Sequence, residues 1–266
     1  MKHKKRIGCI ILLCMVLYVA CIGYHTIQGN QDSLAIIGYH HIVPDEDKER
    51  YYKDNMWVAS LSSFQEQMQL LHDLGYHTLT LDEVAEWKRG ERKLKGKNVV
   101  ITFDDGFKST IEFAQPVLKQ YGFQGSVFVI GSAIPDKTKP YDPSLRQHAS
   151  LEEMRDQSVL RFYSHSYDLH KKKSSNGGFK VNALDMEELR KDTLQEKQLV
   201  SITYYAYPYG KYNDSIQKVL KDEGVKLAFG FHENRKATRA DDNYAIPRFC
   251  VNAYTRLDVF RAMLES

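Results

Sequence analysis

Most side chains in this sequence that could do acid–base or metal chemistry follow short apolar runs. The clearest case is Asp104-Asp105, which comes directly after the run Val99–Ile101 and the bridging Thr102-Phe103. A short apolar run bounded by polar residues is typical of a strand buried on both faces of a parallel sheet. Similar runs precede other polar residues: His40, His41, His165, His170, Tyr207-Pro208-Tyr209 and Arg248. Because the carboxyl ends of parallel strands meet on one face of a barrel, we expect these side chains to share a site.

The adjacent carboxylates Asp104 and Asp105 are the most unusual part of this pattern. Two acids at the end of a buried strand repel each other and lose hydration, so an uncompensated pair is unfavourable. A bound cation would remove most of that penalty. The alternative is a turn that caps the next helix, which is predicted to begin near Lys108-Ser109. For Asp-Asp-Gly alone the turn is the better interpretation, but the histidines elsewhere favour a cation.

Two imidazoles and one carboxylate are a common ligand set for a catalytic zinc ion, with one position left for water. His165 and His170 lie five positions apart across a predicted loop, a spacing that suits two ligands on one side of a turn. A zinc ion lowers the pKa of a water toward neutrality, so that it can attack a carbonyl. Each histidine alone is more often a hydrogen-bonded surface residue. Asp168, between them, could instead orient one imidazole.

Strands and helices alternate along residues 34–266, which predicts a parallel sheet with covering helices. The fold class is therefore α/β. About seven such units favour a distorted (β/α) barrel of about seven parallel strands over an open, doubly wound sheet. In detail, we predict a loop over 44–57, a helix capped by Ser62 or Ser63, a capping box at Ser150 and Glu153, a last strand at Tyr244–Phe249, and a terminal helix capped by Thr255.

The N-terminus has a different composition from the rest of the chain. Residues 1–6 form a basic tail, residues 7–24 are apolar and free of charge, and residues 25–33 read as a linker. The apolar stretch is long enough for a transmembrane anchor helix, and the basic flank places the tail in the cytoplasm and the domain outside the cell. A cleaved secretory signal is the main alternative, and lipid modification of Cys21 is another.

Composition limits the remaining possibilities. The chain has 266 residues and a net charge of +3, enough length for one large domain after the anchor. The excess positive charge lies in the N-terminal tail, so it gives no argument for a nucleic-acid partner. Only Cys250 of the four cysteines lies outside the apolar segment, so the domain cannot form an internal disulfide.

Two segments resemble a known family. Thr102–Gly106 is similar to the first motif of the polysaccharide deacetylases, the NodB homology domain of carbohydrate esterase family 4, and Ser164–His170 is similar to the second. The resemblance covers residues 34–254. The second motif usually separates its histidines by four positions, and the spacing of five resembles the branch that deacetylates poly-β-1,6-N-acetylglucosamine.

The resemblance implies roles for individual residues. Asp105, His165 and His170 would bind a divalent metal, with Zn²⁺ the expected ion, and Asp104 would be the general base. The metal and the backbone N–H of Tyr209 would hold the oxyanion.

The chain departs from the family pattern in two places. No histidine follows His232, so the usual C-terminal motif with the acid histidine is missing. Tyr39-His40 resembles a relocated version of that motif, which makes His40 the candidate acid and His41 a structural neighbour. The arginine usual before Pro208 is also absent. Arg248 could take its place by pairing with Asp104 and keeping it ionised, and the alternative is a purely structural ion pair.

The sequence therefore predicts a monomeric, membrane-anchored, metal-dependent hydrolase with its catalytic domain outside the cell. Its expected substrate is a polysaccharide containing N-acetylglucosamine, in particular the poly-β-1,6-N-acetylglucosamine of biofilms. A peptidoglycan or chitin-oligomer deacetylase is the alternative within the same chemistry. An inactive glycan-binding module is the alternative from another class.

Overall fold

The computed structural model describes residues 32–155, 157–171 and 178–266. The predicted basic tail, the apolar segment 7–24 and most of the linker lie outside these residues. Within the described part of the chain, no helix is both long enough and apolar enough to cross a membrane.

A single curved sheet of mostly parallel strands forms the centre of the domain. Its main order is β10-β1-β5-β6-β7-β8-β9, with β4 paired to β5 and β11 paired to β1. All of these pairings are parallel except that between β1 and β10. The strands are β1 Ser33–Tyr39, β2 His41–Val43, β3 Val58–Ser60, β4 Tyr76–Thr78, β5 Lys97–Phe103, β6 Gly125–Val129, β7 Leu160–Ser164, β8 Ser201–Ala206, β9 Leu227–Phe229, β10 Ala237–Thr238 and β11 Phe249–Cys250.

The segment 246–250 connects β9, at one end of the main strand order, to β1, near the other end. Ile246 forms a parallel bridge with Phe229 of β9, and β11 then pairs with Ile37 and Gly38 of β1. This closure supports the predicted (β/α) barrel over an open sheet. The small β2–β3 pair lies outside the main sheet.

Helices follow most of the strands, as the alternating pattern predicts. They are α1 Asp45–Tyr51, α2 Leu61–Asp73, α3 Leu81–Lys88, α4 Gln115–Gln120, α5 Leu151–Met154, α6 Met186–Lys197, α7 Asp214–Asp222 and α8 Leu257–Glu265. A π-helical turn, Thr110–Ala114, runs directly into α4. Such turns are frequent near functional sites.

Burial explains why β5 reads as a continuous apolar run. Val99, Val100 and Ile101 have no exposed surface, and they belong to two different hydrophobic clusters on opposite faces of the sheet. One cluster packs under α2 and α8 and the other under α3. A strand covered on both sides has no face on which a polar residue is stable until it reaches its end.

Several local predictions are wrong at element ends. Residues 44–57, predicted to form a loop, instead contain α1, which follows Pro44. Acidic residues in its first turn stabilise the helix through their interaction with the positive end of its dipole. Helix α2 is capped by Ser60, whose side chain accepts the N–H of Ser63.

Corrections are also needed near the C-terminus, while one cap is confirmed. Of the predicted strand Tyr244–Phe249, only Phe249 belongs to β11. The start of the segment forms a turn, in which the N–H of Ala245 donates to the carbonyl of Asp242, and only Ile246 then forms an isolated β-bridge. Helix α8 begins after Arg256, and Thr255 instead accepts the N–H of Asn252. The capping box of Ser150 and Glu153 is present at α5.

Candidate active site

Three side chains predicted to bind a metal meet at one end of the sheet. The Oδ1 atom of Asp105 lies 3.5 Å from Nε2 of His165 and 3.3 Å from Nε2 of His170. One ligand atom from each residue lies within 4.8 Å of the others. Among the described residues, no other group of three or more His, Cys, Asp or Glu side chains converges in this way.

The backbone around Asp105 turns sharply to aim its carboxylate. Strand β5 ends at Phe103, and Asp105 then adopts a left-handed conformation with φ of 71°, which is uncommon for a residue with a side chain. Gly106 is also left-handed, at 73°, and a Cβ there would lie 3.2 Å from the backbone of Val129. The glycine of the Asp-Asp-Gly motif therefore permits both the turn and the close contact with β6.

The protonation states of His165 and Asp105 suit the binding of a cation. His165 donates Nδ1–H to the carbonyl of Ala206 at 2.7 Å, which leaves Nε2 unprotonated and facing Asp105. Burial lowers the pKa of His165 to about 3, so the imidazole is neutral at pH 7. Oδ1 of Asp105 is buried without a hydrogen-bond partner in the described structure, and burial raises the pKa of this carboxyl. A divalent cation would compensate the buried carboxylate and use both neutral nitrogens.

Asp104, the neighbouring carboxylate, forms a buried ion pair with Arg248. The two guanidinium nitrogens Nη1 and Nη2 of Arg248 each donate to one carboxylate oxygen of Asp104 at 2.8 Å. Arg248 has no exposed surface and also donates to the carbonyl of Gly230. Burial acts to raise the pKa of Asp104, but Arg248 outweighs it and holds the pKa well below its usual range. Asp104 is therefore a fixed carboxylate at neutral pH.

His40, the candidate acid, is held by aromatic rings. Its imidazole lies 4.8 Å from the ring of Trp57 and 5.1 Å from that of Phe231, measured between centroids. Its Nδ1 is buried without a hydrogen-bond partner in the described part of the chain, and the residue lines the cavity above the metal-ligand set. Burial lowers the pKa of His40, while the carboxylates of Asp105 and Asp104 act in the opposite direction.

Tyr209 lies beside the metal-ligand set. Its ring centroid is 4.2 Å from that of His170, and its hydroxyl donates to the His170 carbonyl at 3.3 Å. The residue is left-handed, with φ of 58°, directly after Pro208. Strain of this kind costs on the order of 1–3 kcal/mol and persists only where the surroundings impose it.

Asp168 does not take the role that its position in the sequence suggested as an alternative. Its carboxylate accepts hydrogen bonds from Ser132 at 3.0 Å and Lys180 at 2.8 Å, and pairs with Lys171 at 2.6 Å. These partners outweigh burial and hold the pKa of Asp168 at about 2. In the described structure it makes no hydrogen bond to either imidazole.

A cavity of about 670 Å³ opens above these residues. Part of its lining was missed from the sequence: Trp57, Phe107, Arg146, His148, Phe231 and His232. Phe231 and His232 follow β9, so the rule that selected the other strand ends could have found them. Trp57 lies at the end of the predicted loop 44–57, and Arg146 lies in a segment whose sequence carried no functional signal. His148 donates from Nδ1 to the backbone carbonyl of Asp105 at 2.8 Å, a contact between distant segments.

Comparison with known proteins agrees with this geometry. A sequence profile described as polysaccharide deacetylase matches residues 91–228, more than half of the chain. The chain therefore belongs to the polysaccharide deacetylase family.

Three related proteins show what the chain is similar to within this family. The chain is 34% identical over 213 residues to the poly-beta-1,6-N-acetyl-D-glucosamine N-deacetylase of Staphylococcus epidermidis, covering 76% of this chain and 69% of that protein. It is 25% identical over 280 residues to the Staphylococcus aureus protein of the same name, covering 95% and 94% of the two chains. A putative polysaccharide deacetylase of Bacillus subtilis, YxkH, is 29% identical over 211 residues, covering 76% of this chain and 69% of that protein.

Solved structures share the fold. The Streptococcus pyogenes deacetylase PplD has a TM-score of 0.73 at 21% identity, with 89% of this chain and 100% of that chain covered. IcaB from Ammonifex degensii has a TM-score of 0.69 at 23% identity, with 88% and 98% covered.

His41, placed next to His40 as a structural neighbour, makes the protein sensitive to acid. It is buried and stacks on Phe107 at 4.7 Å, and burial lowers its pKa to about 3. His41 therefore becomes protonated near pH 6.5 in the unfolded chain but only near pH 3 in the folded chain. The free energy of unfolding consequently falls as the pH drops from 6.5 toward 3. We expect His41→Phe to make this decline shallower by about 1.4 kcal/mol per pH unit. Denaturant unfolding of both metal-free proteins between pH 6 and 4 measures it, and equal slopes would contradict the assignment.

Proposed function

We propose that this chain is a metal-dependent deacetylase that removes N-acetyl groups from N-acetylglucosamine residues of an extracellular polysaccharide. The observation that carries the proposal is the convergence of Asp105, His165 and His170 at the base of one cavity. Poly-β-1,6-N-acetylglucosamine is the preferred substrate, because relatives with 34% and 25% identity bear that activity in their names.

The ligand set suits zinc, which takes imidazole nitrogens and a carboxylate oxygen and keeps one coordination position open in catalytic sites. When bound, such an ion polarises a carbonyl oxygen and makes water a better nucleophile at neutral pH. The remaining steps fall to side chains of this chain.

Asp104 is proposed as the general base. It is ionised at neutral pH because Arg248 grips both carboxylate oxygens, and it is adjacent in sequence to the ligand Asp105. It would accept a proton from the water that attacks the acetamide carbonyl. Arg248 keeps the carboxylate in one orientation, so the pair works as a unit.

His40 is proposed as the general acid. The rings of Trp57 and Phe231 pack against the imidazole, and the residue lines the cavity. Protonated His40 would donate to the amide nitrogen as the C–N bond breaks, which gives acetate and a free amine. Burial lowers the pKa of His40, whereas the carboxylates of Asp105 and Asp104 act to raise it and so favour the protonated form that this role requires.

Tyr209 is proposed to contribute its backbone N–H to the developing oxyanion. The left-handed backbone after Pro208 sets the direction of that peptide group, and stacking of the ring on His170 fixes it. A donor held in place before the reaction stabilises charge without reorganisation.

The proposal extends to location and to the product. We infer that the chain is anchored through residues 7–24 with its catalytic domain outside the cell, because a basic tail precedes that apolar segment. The freed amine is cationic at neutral pH, so the deacetylated polymer would bind anionic surfaces.

Acetate release from defined oligomers tests the substrate. We expect deacetylation of β-1,6-linked N-acetylglucosamine oligomers, loss of activity with a chelator, and recovery with Zn²⁺. The β-1,4-linked oligomers of matched length are the comparison. Activity confined to β-1,4 substrates would reject the exopolysaccharide and favour peptidoglycan or chitin oligomers. Binding to either oligomer with no acetate released at any metal concentration would favour a glycan-binding module.

Asp104→Asn should keep the metal and lose most turnover, because the amide preserves the shape but cannot accept the proton. We expect kcat to fall by about 10²–10⁴-fold. Metal content and kcat are measured together, with Asp105→Asn as the comparator that should lose the metal. Substantial turnover by metal-loaded Asp104→Asn would remove this residue as the base.

His40→Ala should also keep the metal, since the imidazole is not part of the ligand set, and kcat should fall by about 10²-fold or more. The matched control is His77→Ala on β4, an exposed histidine away from the cavity, which should leave the rate unchanged. Unchanged rates in His40→Ala would move the acid role to another group.

A further inference from the structure

The loop that carries His165 and His170 is held from below by helix α6. Asp192 on this helix is 6% exposed, and its two carboxylate oxygens accept two consecutive backbone N–H groups of the loop. Oδ2 accepts from Tyr167 at 2.9 Å and Oδ1 from Asp168 at 2.7 Å. Both N–H groups lie between the two histidines in sequence, so these hydrogen bonds hold the backbone that joins the two imidazoles.

The other side of the loop is held by the end of β6. The carbonyls of Ser166 and Tyr167 accept N–H groups from Gly131 at 3.1 Å and Ser132 at 2.8 Å. Ser166 itself is left-handed, with φ of 71°, a conformation that costs free energy and needs support. The loop carbonyls thus accept hydrogen bonds from the residues that follow β6, and the loop N–H groups donate to the carboxylate of Asp192.

We propose that Asp192 is a positioning residue for the metal centre, which holds the 165–170 loop in its ligating shape before the cation arrives. This inference rests on the ligand set of the proposed function. A preformed loop spares the ion the cost of ordering the backbone, so the loss of this support should appear as weaker metal binding.

The burial of Asp192 is hard to explain otherwise. A carboxylate removed from water is unfavourable unless it is paired or hydrogen-bonded. Within the described residues no Lys or Arg forms an ion pair with Asp192, so the two loop N–H groups are its main compensation. Charge-assisted hydrogen bonds of this kind are stronger than neutral ones.

Glu196 provides a matched control on the same helix. It lies one turn after Asp192, has no exposed surface, and its carboxyl lies against Gly131. Burial raises its pKa to about 9, so it is a neutral acid at pH 7. Glu196→Gln keeps the side-chain shape and an acceptor oxygen beside Gly131, and it leaves the N–H groups of Tyr167 and Asp168 with their acceptor, Asp192.

Cobalt titration of the metal-free full-length chain tests the proposal. Co²⁺ is the probe, because its visible absorption reports the arrangement of its ligands. We expect Asp192→Asn to weaken Co²⁺ binding by about tenfold or more and to change the absorption spectrum, since the amide NH₂ would oppose a loop N–H. Glu196→Gln should match the wild type in affinity and spectrum.

The outcomes separate this inference from the proposed function. Wild-type protein that binds no Co²⁺ would reject the ligand set itself. Wild-type binding matched by Asp192→Asn in affinity and spectrum would overturn the positioning role alone. If Asp192→Asn does not fold, amide hydrogen exchange of the metal-free wild type decides. Slow exchange at Tyr167 and Asp168 supports a preformed loop, and exchange at the rate of an open loop overturns it.

Discussion

The burial of two neighbouring carboxylates at the end of β5 is the constraint on which the site depends. Asp104 and Asp105 are 2% and 4% exposed, so each charge needs a specific compensation. Asp104 receives it from Arg248 through two hydrogen bonds of 2.8 Å. Removing one partner of such a buried pair typically costs about 3–5 kcal/mol. Asp105 faces only neutral imidazole nitrogens at close range, and that difference makes it the carboxylate for a cation.

Closure of the sheet makes this compensation possible. Arg248 lies between Ile246, which bridges to β9, and β11, which pairs with β1. The segment that closes the barrel therefore carries the guanidinium that Asp104 requires. Barrel stability and the ionisation of the proposed base are thus linked through one residue.

The sequence by itself determined the class of fold and much of the reacting chemistry. The apolar run of β5 is buried on both faces, and this requires covering layers on each side of a parallel sheet. It also places Asp104 and Asp105 at a strand end. A metal accepts few ligand types, which points to the histidines and to the Asp104-Asp105 pair, and the resemblance to the family motifs then singles out Asp105, His165 and His170. The N-terminal anchor remains a prediction from composition.

Tertiary structure alone decided which groups meet. No local pattern relates Trp57 to His40, Arg146 to the cavity, or Asp192 to the loop of His165, because each contact joins segments far apart in sequence. Helix and strand ends were misplaced for the same reason. Ser60, Ser62 and Ser63 are equally good caps by residue type, and in the structure Ser60 is the cap, whose side chain accepts the N–H of Ser63. The chemistry of each side chain follows from the residue type alone, whereas the distances between side chains and their burial are set only when the chain folds.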